Sequence, residues 1–156
     1  TLAGQSFTTT VQADGSWSLT VPAAAMGNLP DGAVAITASV TDLSGNTGNT
    51  SRTITVDSQA PALSIDPLTA DNIINAAESG QDLQITGTTD AQPGQTVTVT
   101  FGGKNYTTTV EANGSWTVNV PPADLAALPD GAGNVQASVS NINGNNAQAD
   151  RAYSVD

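Results

Sequence analysis

The chain has 156 residues with no cysteine, no histidine, three basic and 14 acidic side chains, which gives a net charge of −11. Without cysteine and histidine there is no disulfide framework, no ordinary zinc site and no Ser-His or Cys-His nucleophile pair, so we expect no enzymatic activity. The charge disfavours nucleic acid and anionic membrane surfaces as partners, and the lack of a long apolar run predicts no membrane insertion.

An internal repeat organises the sequence. Residues 7–57 align without a gap on residues 106–156 at an offset of 99, and 24 of the 51 aligned positions are identical. A period of about 100 residues is the size of one independent β domain. We therefore interpret residues 1–57 as a partial domain that holds only the C-terminal strands, and residues 58–156 as a complete domain.

The first copy begins with the pattern of β-strands joined by tight turns. Around Trp17, apolar residues alternate with polar ones, which predicts a strand with one inward face. Asp14-Gly15, like Asn113-Gly114 in the second copy, predicts a type I′ hairpin turn, in which both central residues have positive φ. We expect Trp17 and the equivalent Trp116 to lie in hydrophobic cores.

A short linker follows, in which Pro61 favours an extended backbone at Ala60, and we expect it to hold the domains end to end. The complete domain then shows alternating apolar residues and regularly spaced turn signals. These predict one helical turn at 122–128 and strands near 62–68, 82–88, 95–101, 105–111, 115–121, 133–140 and 147–155. Seven short strands in about 100 residues predict an all-β fold of tandem immunoglobulin-like Greek-key β-sandwiches.

The first copy lacks counterparts of residues 58–99, which would form the first two strands and most of the third. Four strands alone expose one apolar face, which is costly in water. Upstream residues of a longer protein could complete the domain, another molecule could complete it, or the folding unit could be phased so that residues 62–101 complete residues 1–57. We favour upstream residues.

Several short motifs, taken in order, resemble a known family. They are ADGSW at 13–17, ANGSW at 112–116, LPDG at 29–32, SVTDLSGN at 39–46, ITVDSQAP at 54–61 and DNIINAAESG at 71–80. This order resembles the bacterial Ig-like repeats of giant type I-secreted surface adhesins, which include BapA-like biofilm proteins and the SiiE-like adhesin. The resemblance implies an extracellular stalk of many domains on the bacterial cell surface, calcium at the domain junctions, and a binding head or anchor elsewhere.

Acidic loops near the junction are the first candidate cation site. We expect Asp57 and Asp31 of the first copy to lie near Asp90 of the second. Asp42 is a further candidate ligand in its own loop. The equivalent loop of the second copy carries Asn141, whose lack of charge would weaken a cation site in that loop. Unpaired carboxylates suit calcium, which takes about six to eight oxygen ligands, and carbonyls and water would supply the remainder. The alternative is that these residues only form turns.

The second candidate site lies at the far end of the complete domain, where Asp71 and Glu78 are expected beside Asp130 and Asp156. Asp71 has no competing role in the sequence pattern. Glu78 does, because the segment that begins at Asn75 fits a capping box, in which Asn75 accepts from the following amides and Glu78 reaches back.

The sequence therefore predicts a structural function: rigid, acidic extender repeats of an adhesin that acts in cell adhesion or biofilm formation, with neighbouring repeats as partners and calcium as a stiffening ion. A first alternative is a domain that itself recognises a host glycan or protein, which would require an exposed aromatic patch or a long variable loop. A second alternative is homotypic cell–cell association through exposed edge strands.

Overall fold

The computed structural model describes residues 1–156, and the chain divides into two compact units. The first unit is Thr1–Ser58 and the second unit is Gln59–Asp156. Strands dominate both units, and α-helix is limited to two four-residue segments.

In the first unit, one antiparallel hairpin is the only regular sheet. It consists of β1 (Gly32–Thr41) and β2 (Thr47–Val56), and the short helix α1 (Ala23–Met26) precedes it. Before α1, the sheet-like bridges are those that join Leu2 to Gln5 and Leu2 to Ile36.

The second unit has eight strands and one short helix. They are β3 (Leu63–Ile65), β4 (Ile73–Ile74), β5 (Leu83–Thr89), β6 (Thr96–Phe101), β7 (Lys104–Thr109), β8 (Ser115–Val120), α2 (Pro122–Leu125), β9 (Gly131–Ser140) and β10 (Asn146–Val155). One sheet has the order β4-β10-β9-β6-β7 and the other has the order β3-β5-β8. All neighbours are antiparallel except β4 and β10.

Both sheets of the second unit contribute side chains to one hydrophobic core. Ile85 of β5 and Trp116 of β8 come from one sheet, while Val97 of β6 and Val135 of β9 come from the other, and all four are fully buried. Alternation along β6 and β8 places every second side chain in this core, as expected for a pleated strand with one inward face. The predicted all-β, immunoglobulin-like architecture is confirmed.

One strand of the second unit was absent from the sequence prediction. The two-residue strand β4 lies inside the loop after β3 and pairs in parallel with the end of β10, so that Ile74 faces Val155. Local alternation cannot identify a strand of two residues, because its extended state depends on the partner strand. The other seven strands and the helical turn form within a few residues of the predicted ranges.

The prediction of a core position for Trp17 is wrong. Its side chain is 53% exposed, whereas the equivalent Trp116 is 0% exposed. The segment around Trp17 forms no strand, because the strand that pairs with its counterpart in the second unit, β5, has no equivalent in the first unit. An extended segment without a partner leaves its backbone groups unpaired and its apolar face in water.

The predicted type I′ turns at Asp14-Gly15 and Asn113-Gly114 are also wrong. Each glycine has φ +83°, but Asp14 and Asn113 keep negative φ. The amide of Gln12 bonds to the carbonyl of Ser16, so the loop has three residues and ends in a left-handed glycine. The two-residue turn with positive φ at both positions lies instead at Gly102-Gly103, between β6 and β7.

Candidate cation-binding loops

Two aspartates lie at the same end of the first unit's hairpin. Gly32, the first residue of β1, pairs with Val56, the last residue of β2. Asp31 directly precedes this pair and Asp57 directly follows it. One carboxylate oxygen of Asp31 accepts hydrogen bonds from the amide and the hydroxyl of Ser58, at 2.9 and 2.8 Å. The register therefore brings Asp31 and Asp57 to one end of the first unit, as the sequence predicts.

The second unit repeats this arrangement at the equivalent positions. Gly131 pairs with Val155, so Asp130 and Asp156 flank the same end of the β9–β10 hairpin. The amide of Asp156 also donates to the carbonyl of Ile74, at 3.1 Å, which ties β4 to this end. The parallel pairing of β4 with β10 thus carries the loop after β4 to the end of the hairpin that holds these two aspartates.

In that loop, Asn75 and Glu78 form the reciprocal bonds of a capping box. Oδ1 of Asn75 accepts from the amides of Ala77 and Glu78, at 3.0 and 3.2 Å, and Oε2 of Glu78 accepts from the amide of Asn75, at 3.1 Å. The segment forms turns rather than a helix. Glu78 therefore has a structural role, and its role as a metal ligand stays a prediction.

The carboxylate of Asp71 shapes the start of the same loop. Its Oδ1 accepts from the amide of Ile73 and the hydroxyl of Thr69, at 3.0 and 3.1 Å. The backbone bond from Ile73, and then the bond from Thr69, hold the pKa of Asp71 below its usual value. The carboxylate is therefore ionised in the form that a cation would require, but it already accepts two hydrogen bonds.

Asp90 fixes the chain where it enters the second unit. Its Oδ1 accepts from the amide of Ala62, at 2.7 Å, and the hydroxyl of the adjacent Thr89 donates to the carbonyl of Ala62, at 2.6 Å. Ala62 follows Pro61, which cannot donate a backbone hydrogen bond. Asp90 thus accepts a hydrogen bond from the first backbone amide that follows Pro61, that of Ala62.

Asp42 and its counterpart Asn141 build the same turn. Oδ1 of Asp42 accepts from the amides of Ser44 and Asn46, at 2.9 and 2.8 Å, and Oδ2 accepts from the side chain of Asn46, which is the main reason that the pKa of Asp42 lies below its usual value. Oδ1 of Asn141 likewise accepts from the amides two and four residues on. The turn-forming role that we considered for Asp42 is therefore present, and its metal role stays a prediction.

The side-chain amide of Asn141 makes a hydrogen bond that an aspartate could not make. Its Nδ2 donates to the carbonyl of Gln59, at 3.1 Å, and the residue is only 8% exposed. A carboxylate has no hydrogen to donate there. The exchange of Asp42 for Asn141 between the copies thus adds a contact to the start of the second unit.

Neither unit brings three acidic side chains together in a group that could hold a metal ion. The residues at each hairpin end offer carboxylate, amide and carbonyl oxygens, and the chain has no histidine or cysteine to supply an imidazole or thiolate ligand. This donor chemistry fits calcium rather than zinc. Each aspartate pair would need further oxygens from backbone carbonyls or water to complete a calcium shell.

One polar cluster, where β7 meets α2, was not predicted from the sequence. The carboxylate of Asp124 forms an ion pair with Lys104 and accepts from the hydroxyl of Tyr106, at 2.6 Å. Burial, followed by the bond to Asp124, raises the pKa of Tyr106 to about 12, while Lys104 and Tyr106 lower the pKa of Asp124. A signal was present, because the first copy replaces all three partners together: Gln5, Phe7 and Ala25.

None of the helices has the length and apolar composition required to cross a membrane. Residues 1–58 and 68–156 match the bacterial Ig-like domain family, and the chain belongs to that family.

Similar solved structures are parts of large adhesins. A Ca2+-stabilized adhesin, with which an Antarctic bacterium binds ice, is 34% identical over 99% of this chain and 39% of that one, with a TM-score of 0.58. A 1.5-MDa bacterial ice-binding adhesin is 31% identical over 96% of this chain and 49% of that one, also with a TM-score of 0.58. A tetra-tandem repeat from the extending region of a large adhesion protein is 33% identical over 94% of this chain and 37% of that one, with a TM-score of 0.52.

The chain therefore spans less than half the length of each of these three structures. No curated protein matches it. The resemblance to the bacterial Ig-like repeats of large adhesins is confirmed.

Proposed function

We propose that this chain is a stretch of extender repeats in a large bacterial cell-surface adhesin, where it carries a binding region away from the cell in adhesion or biofilm formation. The observation that carries the proposal is likeness to adhesin segments over nearly the whole chain, one of them a tandem repeat from an extending region. The internal duplication supports it, because repetition adds length without adding a new site.

The strand lengths give the reach of one repeat. Strands β9 and β10 each have ten residues, which span about 33 Å at the usual rise per residue. With its end loops, one complete unit adds on the order of 40 Å to a stalk. An array of such units would extend the adhesin in proportion to the number of repeats.

Calcium is the ion that we propose for the acidic loops. Asp31 and Asp57 would supply carboxylates from the first unit and Asp90 from the second, while the far-end loops would supply those of Asp130 and Asp156. Asp42, Asp71 and Glu78 remain further candidate ligands, and their carboxylates, like those of Asp31 and Asp90, already accept hydrogen bonds from neighbouring groups. Support comes from the net charge of −11 and from the calcium-stabilised relative.

When bound, calcium would neutralise carboxylates that otherwise repel one another. The strand register of β1 and β2 supports the proposal, because it brings Asp31 to the same hairpin end as Asp57. We expect Pro61 to favour an extended linker. Since apolar side chains from both sheets form the core of the second unit, we expect calcium to restrict motion between repeats more than to drive folding.

Small-angle X-ray scattering of the chain in calcium, and again with chelator, tests this function. We expect the maximum dimension to fall when calcium is removed. The double variant Asp57→Asn, Asp90→Asn should show the chelated dimension even in calcium. Asp14→Asn is the matched control, since it is the same exchange that the second copy carries at Asn113 in a loop outside the proposed site.

Two results would contradict the calcium proposal. One is an identical maximum dimension with and without chelator, together with no heat of calcium binding in titration calorimetry. The other is a loss of the calcium effect in Asp14→Asn equal to that in the double variant, which would show a general charge effect rather than specific ligands.

One observation favours a second function, recognition of a glycan by the first unit. The exposed indole of Trp17 is the kind of aromatic face on which sugars stack. The other large exposed side chains that precede β1 are Val11, Leu19 and Met26, which offer no polar groups to fix sugar hydroxyls. A glycan array with the chain and with Trp17→Ala would decide, because Trp17-dependent binding would favour recognition over extension.

Homotypic association is a third arrangement to test. It would occur through exposed edge strands, and light scattering of the chain with added calcium would report it as growth in mass.

A further inference from the structure

The chain enters and leaves the second unit at opposite ends of the β9–β10 hairpin. At the entry, Nδ2 of Asn141, in the turn of that hairpin, donates to the carbonyl of Gln59, at 3.1 Å. At the exit, Val155 ends β10 and pairs with Gly131, at the end of the hairpin away from the turn. In the first copy the chain likewise continues from the end of β2, at Val56. Tension along a chain of such units would therefore stretch the second unit parallel to β10.

Near the exit, the segment that follows the entry is bonded to β10. Its strand β4 pairs with the last residues of β10, and the two strands run in the same direction. The amide of Ser154 donates to the carbonyl of Asn72, at 3.0 Å. The amide of Asp156 donates to the carbonyl of Ile74, at 3.1 Å. The first and the last parts of the second unit are thus joined directly by backbone hydrogen bonds.

The parallel direction of β4 and β10 decides how these bonds carry a load. Tension pulls the entry segment toward one end of the unit and β10 toward the other, so the two strands are pulled past each other. Because inter-strand hydrogen bonds run across the strands, sliding loads all of them together, whereas opening a hairpin from one end loads them in turn. Bonds that must break together give a higher barrier to unfolding under force, and forced unfolding is governed by that barrier.

A side chain adds a third link between the entry segment and β10. Nε of Arg151, on β10, donates to the carbonyl of Ile65, the last residue of β3, at 2.8 Å. Since β3 and β10 belong to different sheets, this bond joins the two layers of the sandwich. Its donor is charged, and hydrogen bonds with a charged donor are stronger than those between neutral groups. Sliding of β3 along β10 would break this bond as well.

The loop that carries β4 is fixed to the core. Asn72 has φ +60°, a left-handed conformation that asparagine adopts more readily than most residues. Its Oδ1 accepts from the amide of Leu68, at 3.2 Å, and Leu68 is buried. The hydroxyl of Thr69 donates to the carbonyl of Ile73, at 3.0 Å, and the next residue, Ile74, is 1% exposed. A load on β4 therefore acts on the packed core and not on a loose loop.

We propose that the second unit has a load-bearing function, and that three hydrogen bonds form the mechanical clamp through which it resists unfolding under tension. The proposal rests on the proposed extender function only for the source of the tension, because the clamp lies within the second unit and can be measured on the chain alone. The clamp consists of the bonds from Ser154 to Asn72, from Asp156 to Ile74 and from Arg151 to Ile65.

Single-molecule force spectroscopy tests the clamp on the full chain, held by handle domains fused to both ends, with chelator present to exclude any effect of calcium. Asp156→Pro removes the amide that donates to Ile74, and its neighbour Val155 is already in the extended conformation that a residue before proline prefers. Arg151→Ala removes the donor to Ile65. We expect each variant to raise the unfolding rate of the second unit several-fold at constant force, and the double variant to raise it further.

Asp124→Ala is the matched control. It breaks the contacts with Lys104 and Tyr106 at β7, which is the edge of its sheet farthest from β4 and β10. For an equal loss in the free energy of unfolding in urea, its unfolding rate under force should rise less than that of the clamp variants. Unchanged rates in both clamp variants would overturn the proposal. So would an equal rise in Asp124→Ala, which would show that force only reports overall stability.

The direction of pulling gives a readout that equilibrium stability cannot change. Ile142 is 70% exposed in the turn beside the entry, and the chain has no native cysteine, so Ala60→Cys and Ile142→Cys can carry handles at one end of the unit. Tension between them leaves the clamp unloaded, and we expect unfolding at lower force than between the chain ends. Equal forces in the two directions would overturn the clamp but leave the extender function standing, because scattering tests that function separately.

Discussion

Trp17 and Trp116 stand at equivalent positions of two nearly identical pentapeptides, yet one is 53% exposed and the other is fully buried. The local sequence is therefore not what decides between them. Trp116 has β5 beside it and Gly87 beneath it, whereas Trp17 has neither. The comparison shows that strand structure and burial in this repeat come from the partner strand, while the alternating pattern only makes them possible.

Replacement of the two tryptophans should give the largest difference in stability between equivalent positions of the two units. Trp116→Ala removes a fully buried indole and should lower the free energy of unfolding of the second unit by about 3–5 kcal/mol. Trp17→Ala should change stability by less than about 0.5 kcal/mol, because its side chain already lies largely in water. Urea unfolding followed by hydrogen exchange, with peptides from β8 as reporters of the second unit, measures both. A similar cost for both variants would contradict the difference in burial.

The glycine beneath Trp116 gives the next effect. Gly87→Ala places a methyl group against a backbone carbonyl and the indole, and should cost about 1–3 kcal/mol in the free energy of unfolding. Gly80→Ala is the matched control, since the nearest atom to its Cβ is 3.8 Å away and its φ is not positive. It should be neutral within about 0.5 kcal/mol. Equal melting temperatures of the two variants would show that Ser64 of β3 and Trp116 of β8 can shift away from the added methyl group without loss of stability.

The two arginines offer a smaller and more specific contrast. Arg151→Ala removes the donor to the carbonyl of Ile65 and should cost about 1–2 kcal/mol. Arg151→Lys should not restore the loss, because lysine has no N–H at the Nε position. Arg52→Ala, at the equivalent position of the first unit, should change stability by less than about 0.5 kcal/mol because its side chain is exposed. Thermal unfolding of the parent chain and of these three variants measures the differences, and an equal cost for Arg52→Ala and Arg151→Ala would contradict the contrast.

The features that were predicted correctly depend on residues close together in the sequence or on a strict alternation of apolar and polar residues. The bonds between Asn75 and Glu78 form as the pattern implies, because their partners are three residues apart. The strands of the second unit form because alternation coincides with available partners. The burial of Trp17 was predicted wrongly for the opposite reason, since its strand partner is absent.

The remaining features depend on contacts that no local pattern records. The two-residue strand β4 exists only because β10 runs beside it. The prediction that Asp31 lies at the same end of the hairpin as Asp57 is correct, because the turn between β1 and β2 fixes the register of these two strands. Whether these aspartates bind calcium stays a prediction, since cation binding depends on oxygens from carbonyls and water that side-chain spacing does not specify.

The cluster of Lys104, Tyr106 and Asp124 gives the smallest and most local test, because the first copy lacks all three residues. Burial and the nearby carboxylate raise the pKa of Tyr106 from 10.0 to about 12, so its contribution to stability should be intact below pH 10 and lost between pH 10 and 12. The pKa of Asp124 is lowered by Lys104 and Tyr106, so its contribution is present above the usual carboxylate range and lost as the pH falls through the lower folded value.

Asp124→Ala reproduces Ala25 of the first copy and should move the titration of Tyr106 toward its ordinary value. Ultraviolet titration measures this shift, and Tyr106→Phe, which reproduces Phe7, assigns the signal against that of Tyr153, whose pKa burial also raises. Both variants should unfold at lower temperature near neutral pH but approach the parent chain at pH values below the folded pKa of Asp124. If the titration of Tyr106 does not change in Asp124→Ala, burial alone sets its pKa, and the cluster contributes to the second unit by packing rather than by charge.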